Sequence, residues 1–135
     1  MRMNMKWFSS LLLLLVLLLG CATSTLINLT PTHQPRNPNG VYPIEMALES
    51  SQQTLRYETL APYVVVGFEF YKMRPTLRMT NRWEALVPVP SEANSINYHF
   101  KVDYMYNRMG APGKGSRLSQ EYKLSVVEGP SEKPK

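Results

Sequence analysis

The sequence is poor in the residues from which most active sites and metal sites are built. It has one cysteine, two histidines (His33 and His99) and one aspartate (Asp103) in 135 residues. A single thiol cannot close a disulfide within one chain, and it leaves no thiolate pair to hold a zinc ion. Neither histidine has a second ligand at a spacing typical of a metal site. We therefore expect no metal and no cofactor.

Catalytic arrangements are equally hard to assemble from these residues. Glu69 and Glu84 could face each other across paired strands, as a glycosidase requires of two carboxylates, but their spacing does not demand it. His99, Lys101 and Asp103 alternate along one segment. A polar relay and a solvated strand face with a modest Lys101–Asp103 attraction both fit that pattern. We predict that the protein is not an enzyme.

Long apolar runs are also scarce, and the one such run is short and lies near the N-terminus. It extends from Trp7 to Leu19 and follows the basic residues Arg2 and Lys6. A membrane-spanning helix needs about 20 apolar residues, so this run is too short to be one. A basic start, a short apolar run and a small residue before a cleavage point are the layout of a secretory signal.

The end of this run, Leu18-Leu19-Gly20-Cys21, resembles the lipobox of bacterial lipoproteins. The resemblance implies a diacylglyceryl group on the Cys21 thiol, cleavage after Gly20, and acylation of the new amino group. It also implies a protein of the cell envelope that is held by lipid, and Ala22 after the cysteine favours the outer membrane. The alternatives are an ordinary cleaved signal with an incidental cysteine and an uncleaved short anchor.

The charge of the chain argues against nucleic acid as a partner. The formal net charge of +5 falls to +3 once Arg2 and Lys6 leave with the signal, because thirteen Lys and Arg then face ten Asp and Glu. A nucleic-acid-binding domain of this size is usually more basic. The remaining excess permits a weak preference for anionic lipid or other acidic envelope polymers.

Alternation of apolar and polar residues predicts the strands. The principal strands are 41–48, 63–72, 83–89, 97–106 and 121–127, with shorter candidates at 25–29, 53–58 and around Leu77 and Met79. The segment 63–72 is predicted as a central strand with Val64, Val66, Phe68 and Phe70 on one apolar face. The glycine-rich segment 108–117 is predicted as a mobile hairpin loop rather than a phosphate-binding loop, because Gly115 follows Lys114 where that motif needs Ser or Thr.

These strands predict an all-β domain, a single antiparallel β-sandwich. The Tyr-x-Phe-x-Val-x-Tyr strand at 98–104 and the Tyr-x-Leu-x-Val strand at 122–126 resemble those of immunoglobulin-like and fibronectin-type-III-like sandwiches. The Cys-Trp-Cys signature of true immunoglobulin domains is missing, and a small β-barrel is the alternative. The predicted divisions are a signal at 1–20, a lipidated tether leading into the first strand at 21–40, the sandwich at 41–128 and a disordered tail at 129–135.

Two surface features are candidates for binding. The first is a basic group around the turn after the predicted central strand, formed by Lys72, Arg74, Arg78 and Arg82. It could contact an anionic surface, or it could protect a sheet edge from aggregation. The second is the set of tyrosines that fall off the apolar faces, namely Tyr57, Tyr63 and Tyr71.

The function expected from the sequence is therefore non-enzymatic. We predict a membrane-anchored lipoprotein whose sandwich binds another envelope protein or acts as a structural spacer. The alternative is a module that binds an envelope ligand such as peptidoglycan, lipid or another anionic polymer.

Overall fold

The computed structural model describes residues 23–129, and within that range it contains ten β-strands and no helix. The strands are β1 (Ser24–Asn28), β2 (His33–Pro35), β3 (Val41–Ser50), β4 (Leu55–Val66), β5 (Glu69–Lys72), β6 (Arg74–Pro75), β7 (Arg82–Pro88), β8 (Ser95–Tyr106), β9 (Gly113–Leu118) and β10 (Tyr122–Val127). The predicted signal, Cys21 and residues 130–135 of the predicted tail lie outside the described residues. Between residues 23 and 129, no helix is long and apolar enough to cross a bilayer.

The strands form two sheets that pack around one core. The first sheet has the order β1-β3-β7-β6, and the second has the order β2-β10-β8-β4-β5, with β9 paired to β8. Every pairing is antiparallel except that of β2 with β10. The two sheets do not close into a barrel. The predicted all-β sandwich is therefore confirmed, and its alternative, a small barrel, is wrong.

The strand order is similar to that of an immunoglobulin-type sandwich. In that arrangement strands A, B, E and D form one sheet and C, F and G the other. Here β1, β3, β7 and β6 occupy the A, B, E and D places, and β4, β8 and the β9–β10 pair occupy the C, F and G places. The chain therefore reaches the same two layers without the disulfide of antibody domains.

The inward faces of β3, β7, β8 and β10 are those that the alternation predicts. Their buried side chains are Tyr42, Ile44, Met46, Leu48, Trp83, Ala85, Val87, Tyr98, Phe100, Val102, Leu124 and Val126. Each sheet buries one face and leaves the other wet, so a period of two residues is visible in the sequence. These side chains belong to one hydrophobic cluster, so both sheets share a single core.

The segment before β3 contributes a strand to each sheet. β1 pairs with β3, and β2 pairs with β10, so the folded unit begins before residue 41, the predicted start of the sandwich.

Where β1 has ended, three side chains make hydrogen bonds to the backbone of β3 in its place. Thr30 Oγ1 accepts the Glu45 N–H (2.9 Å), Gln34 Nε2 donates to the Pro43 carbonyl (2.9 Å), and Asn37 Nδ2 donates to the Val41 carbonyl (2.9 Å). These contacts explain why Thr30 and Gln34 are buried polar residues.

The prediction of one central strand at 63–72 is wrong. The chain turns at Gly67-Phe68, so β4 and β5 form a hairpin in which Val66 lies opposite Glu69. β4 begins at Leu55 and continues through Pro62, so the strand predicted at 53–58 and the start of the one predicted at 63–72 belong to a single strand. The return strand expected around Leu77 and Met79 is also wrong, because residues 76–81 form a turn before β7.

The mobile loop predicted at 108–117 is wrong for its second half. Residues 113–118 form β9, which pairs with β8 so that Gly113 faces Tyr106 and Gly115 faces Tyr104. A Cβ on Gly113 would lie 2.3 Å from the Tyr106 ring, and one on Gly115 would lie 2.7 Å from the Tyr104 ring. The tyrosine rings therefore occupy the space that β9 side chains would fill, which stabilises a strand rich in glycine.

Candidate functional site

The β4–β5 hairpin ends in a tight turn that presents an aromatic side chain to solvent. Gly67 has φ of +58°, and a two-residue hairpin turn with a left-handed first position is the type that suits the twist of antiparallel strands. Phe68 occupies the second position and is 100% exposed. Glycine is needed at residue 67 because other residues adopt this φ only at a cost. The local sequence thus fixes both the turn and the exposure of Phe68.

A second aromatic side chain lies on the outer face of the hairpin. Phe70 is 58% exposed, and its ring makes an edge-to-face contact with Tyr63, with centroids 6.3 Å apart. Val65 lies opposite Phe70 and is only 4% exposed, although it is on the outer face of the second sheet. The Lys101 ammonium lies 6.0 Å from the centre of the Tyr63 ring. Phe70 therefore packs against Tyr63 on the outer face of the hairpin.

β5 is an edge strand with backbone groups directed away from the sheet. The Met73 N–H donates to the Pro62 carbonyl at 3.0 Å, so by alternation Tyr71 and Glu69 also face β4. The N–H and C=O groups of Phe70 and Lys72 then point to the open side. No strand pairs with this side of β5 in the part of the chain that the structure describes. The edge can accept one more strand.

A shallow groove separates this edge from the first sheet. Its volume is about 390 Å³, and its lining residues are Pro43, Lys72, Arg74, Glu84, Ala85 and Leu86. β6 pairs with β7 only at Trp83 and Glu84, so the β7 edge is open at Leu86, whose side chain is 65% exposed. We call the hairpin tip, the β5 edge and this groove the hairpin site. It combines aromatic, backbone and cationic groups.

The structure places the four residues of the predicted basic group on β5, on β6, in the turn after β6 and on β7. Lys72 and Arg74 line the groove of the hairpin site, and Arg74 lies opposite Glu84 across the β6–β7 pair. Arg78 lies in the turn between β6 and β7, and Arg82 begins β7 opposite Ala47. All four side chains are exposed. Arg82 lies two residues before Glu84, the partner of Arg74, so these two arginines are diagonal neighbours across the β6–β7 pair.

The polar trio on β8 is held by one ion pair. Lys101 Nζ lies 2.6 Å from Asp103 Oδ1. The hydrogen bond from Lys101, with a second from Ser116, lowers the pKa of Asp103 below its ordinary value. The His99 side chain makes no hydrogen bond to the described residues. Glu69 and Glu84 lie on strands of different sheets, β5 and β7. The geometry therefore gives the solvated strand face more support than the relay.

The other candidates predicted from the sequence are His33 and the three tyrosines. The His33 ring Nδ1 lies 3.1 Å from the Thr32 hydroxyl. No group of three or more His, Cys, Asp or Glu side chains between residues 23 and 129 is arranged to hold a metal ion. Tyr57 is 52% exposed, whereas Tyr71 packs against the core. Of the three predicted tyrosines, Tyr63 is the one whose ring contacts Phe70 at the hairpin site.

The alternation pattern does not predict that Phe68 and Phe70 lie at the surface. It places both on an apolar face, because they continue the alternation of Val64 and Val66. The signal that could have found them is Gly67, which interrupts an apolar run and marks a bend or turn in a strand pattern.

Comparison with known proteins gives no assignment. No protein-family description, no curated protein and no solved structure matches the chain.

Proposed function

We propose that the protein is a lipid-anchored lipoprotein of the bacterial cell envelope that binds a partner protein through the hairpin site. The observation that carries the binding role is Phe68, a fully exposed aromatic side chain at the tip of an ordered turn. It lies next to the half-exposed Phe70 and the open β5 edge. Large aromatic side chains dominate the binding energy of protein interfaces. We assign the domain no catalytic role.

The chemistry of the hairpin site indicates the kind of partner that it fits. The open amides of Phe70 and Lys72 match an extended segment that adds a strand to the second sheet. Phe68 and Phe70 would contact apolar side chains of that segment. Lys72 and Arg74 at the end of the edge favour an acidic residue beside them. The partner is therefore an extended, apolar segment with at least one carboxylate.

The proposed anchor is a diacylglyceryl group on Cys21, supported by the lipobox resemblance of residues 18–21. One acyl chain holds a protein to a bilayer only marginally, whereas two or more hold it stably. We expect the outer membrane as the location because Ala22 follows the cysteine. Labelled palmitate should enter the protein in growing bacteria. Incorporation that persists in a Cys21→Ser variant would exclude this anchor.

Partner binding is tested by photo-crosslinking in intact cells. A photoreactive phenylalanine analogue replaces Phe68 in the full chain, and the control carries it in place of Leu118, a side chain that is 61% exposed on β9. We expect one discrete protein adduct from position 68 and none from position 118. Equal adducts at both positions would contradict the hairpin site.

The same cells distinguish the alternative function. A module for peptidoglycan or another anionic polymer would remain on isolated cell-wall material and give no protein adduct from position 68. In that case a Lys72→Gln/Arg74→Gln variant should lose the retention, because these two cations line the groove.

A further inference from the structure

The strand directions bring three loops to the end of the sandwich at which the chain enters it. The Ser51 N–H donates to the Thr23 carbonyl at 2.9 Å, which places the β3–β4 connection beside the first described residue. The Leu48 N–H donates to the Asn81 carbonyl at 3.0 Å, which brings the turn 76–81 to the same end. We call this region the N-terminal end.

The third loop reaches the N-terminal end through the second sheet. Leu55 at the start of β4 lies opposite Tyr106, and the Asn107 N–H donates to the Thr54 carbonyl at 2.8 Å. The loop 107–112 therefore projects beside the β3–β4 connection. The Arg108 guanidinium donates from Nε to the Ala111 carbonyl at 2.8 Å, which holds this loop in a defined shape.

The loops of the N-terminal end expose apolar side chains at their tips. Leu77 is 90% exposed, Met79 is 47% exposed and Met109 is 101% exposed. The Met79 N–H donates to the Thr76 carbonyl at 3.1 Å, so Leu77 and Arg78 are the two central residues of a closed turn. Single exposed apolar residues are ordinary on a protein surface. Leu77, Met79 and Met109 instead lie together, in two loops at one end of the domain.

Cations accompany these apolar tips. Arg78, Arg108 and Lys114 are exposed, and none of them takes part in an ion pair with another described residue. The carboxylates nearest in sequence and pairing are Glu49 on β3, Glu58 on β4 and Asp103 on β8, and the last two are already paired, Glu58 with Arg56 and Asp103 with Lys101. The N-terminal end is therefore both apolar and cationic. Amphipathic membrane-surface segments combine the same two properties.

The position of the anchor places a bilayer next to this surface. Cys21 precedes Thr23 by two residues, and consecutive Cα atoms are 3.8 Å apart, so their Cα atoms are at most about 8 Å apart. A lipid on Cys21 leaves no length of chain for the sandwich to stand away from the membrane. The opposite end, which carries Phe68, lies roughly 35 Å along the 12 residues of β4.

We propose that the N-terminal end docks onto an anionic lipid bilayer, with Leu77 and Met109 entering the headgroup region and Arg78, Arg108 and Lys114 contacting lipid phosphates. This inference rests on the proposed lipid anchor at Cys21. Docking orients the sandwich upright, with the hairpin site facing away from the membrane toward its partner. The lipid supplies the attachment, and the loops supply the orientation.

The single cysteine makes a direct test possible. The full chain is expressed in bacteria, and the product purified from their membranes is reconstituted into vesicles of 70% phosphatidylethanolamine and 30% phosphatidylglycerol. With the proposed anchor, Cys21 carries lipid and has no free thiol. Leu77→Cys and Met109→Cys each introduce one labelling site for an environment-sensitive fluorophore, and Phe68→Cys is the matched control at the opposite end. We expect lipid-borne quenchers to quench the label at least several-fold more at 77 and 109 than at 68.

The electrostatic part is tested in the same vesicles with the label at position 77. The variant Arg78→Gln/Arg108→Gln/Lys114→Gln should lower the quenching several-fold, as should replacing phosphatidylglycerol with phosphatidylcholine, because each cation near an anionic surface contributes about fivefold. The control Lys72→Gln/Arg74→Gln/Lys123→Gln removes the same charge elsewhere and should leave the quenching unchanged.

The outcomes separate the docking surface from the anchor. Vesicle-bound protein with equal, weak quenching at 68, 77 and 109 would overturn the docking surface and leave the anchor intact. Protein that fails to remain with the vesicles would overturn the anchor, and the docking inference with it. Equal losses from the two charge variants would show that the cations of the N-terminal end have no special role.

Discussion

Thr30 and Glu45 exchange two hydrogen bonds where the chain passes from the first sheet to the second. The Glu45 N–H donates to Thr30 Oγ1 at 2.9 Å, and the Thr30 hydroxyl donates to the Glu45 carbonyl at 3.2 Å. The side chain thus completes the edge of β3 after β1 has ended. The Thr30 hydroxyl supplies hydrogen bonds to Glu45 that a further residue of β1 would otherwise make. The chain can therefore leave the first sheet after β1 and join the second sheet at β2.

The variant Thr30→Val should be less stable than the wild type. Valine keeps the shape of the side chain and removes both hydrogen bonds, which leaves the Glu45 N–H without a partner at a cost of about 1–3 kcal/mol. The measurement is the urea midpoint followed by the fluorescence of buried Trp83. Thr25→Val, an exposed position on β1, is the control, and an equal shift in both variants would contradict this role of Thr30.

The turn of the hairpin site should be sensitive to the loss of glycine. Gly67→Ala forces an L side chain into φ near +58°, which costs about 1–2 kcal/mol in the left-handed region. No atom lies within 4 Å of the added Cβ, so the loss would come from the backbone alone. Gly129→Ala has equal space and no positive φ, and should change the unfolding free energy by a few tenths of a kcal/mol at most.

The contact of Gly115 with Tyr104 should appear as an energetic coupling. Gly115→Ala places a Cβ 2.7 Å from the tyrosine ring, and overpacking of this kind typically costs about 1–3 kcal/mol. In a Tyr104→Ala background the same substitution has free space and should cost little or nothing. A double-mutant cycle of unfolding free energies measures the difference. Additive effects would mean that the ring does not shape β9.

Stability should fall at alkaline pH because of Tyr98. Burial raises the pKa of the Tyr98 phenol above its ordinary value of 10.0, and hydrogen bonds with Thr30 and Asn28 oppose the rise. A raised pKa in the folded state means that the folded protein holds the proton more tightly than the unfolded chain. The resulting stability is complete below pH 10 and is lost as the pH rises above it.

Tyr98→Phe isolates this effect. Near pH 7 the variant should be about 1 kcal/mol less stable than wild type, since it lacks the hydrogen bond from the hydroxyl to Asn28 Oδ1 at 3.1 Å. Above pH 10 the wild type should lose stability faster than the variant. Tyr57→Phe, at an exposed position, serves as the control. Parallel pH profiles for wild type and Tyr98→Phe would refute the assignment.

The aromatic tip of the hairpin site should be dispensable for folding. Phe68 is fully exposed, so Phe68→Ser should change the unfolding free energy by less than about 0.5 kcal/mol. Partner capture through a photoreactive residue at position 70 should nevertheless fall strongly in this variant. Leu118→Ser removes an apolar side chain that is 61% exposed on β9, and it should leave capture unchanged. A large loss of stability in Phe68→Ser would show that the tip is structural.

The sequence predicts the sandwich well because each central strand buries one face. In β8, Tyr98, Phe100 and Val102 alternate with polar residues, and no turn residue interrupts them. The prediction of one strand at 63–72 is wrong because apolar and polar residues keep alternating through the turn. Phe68 and Phe70 therefore occupy positions that a longer strand would bury. A two-residue hairpin reverses the chain direction without interrupting the alternation of apolar residues. Gly67 is the residue of this segment that indicates the turn.

Other features depend on contacts that are remote in sequence. β9 is a strand because Tyr104 and Tyr106 cover its glycines, and composition alone favours a loop there. The N-terminal end arises because Leu77 and Met109, thirty-two residues apart, are brought to the same end by two different sheets. No local pattern carries that information.

We propose that lipid on Cys21 holds the sandwich at the membrane, and the N-terminal peptide of protein purified from bacterial membranes can be examined for it by mass spectrometry. We expect a chain that begins at Cys21 and carries a diacylglyceryl group on its sulfur, with or without an acyl group on its amine. An uncleaved chain that retains residues 1–20 with an unmodified Cys21 thiol would contradict it.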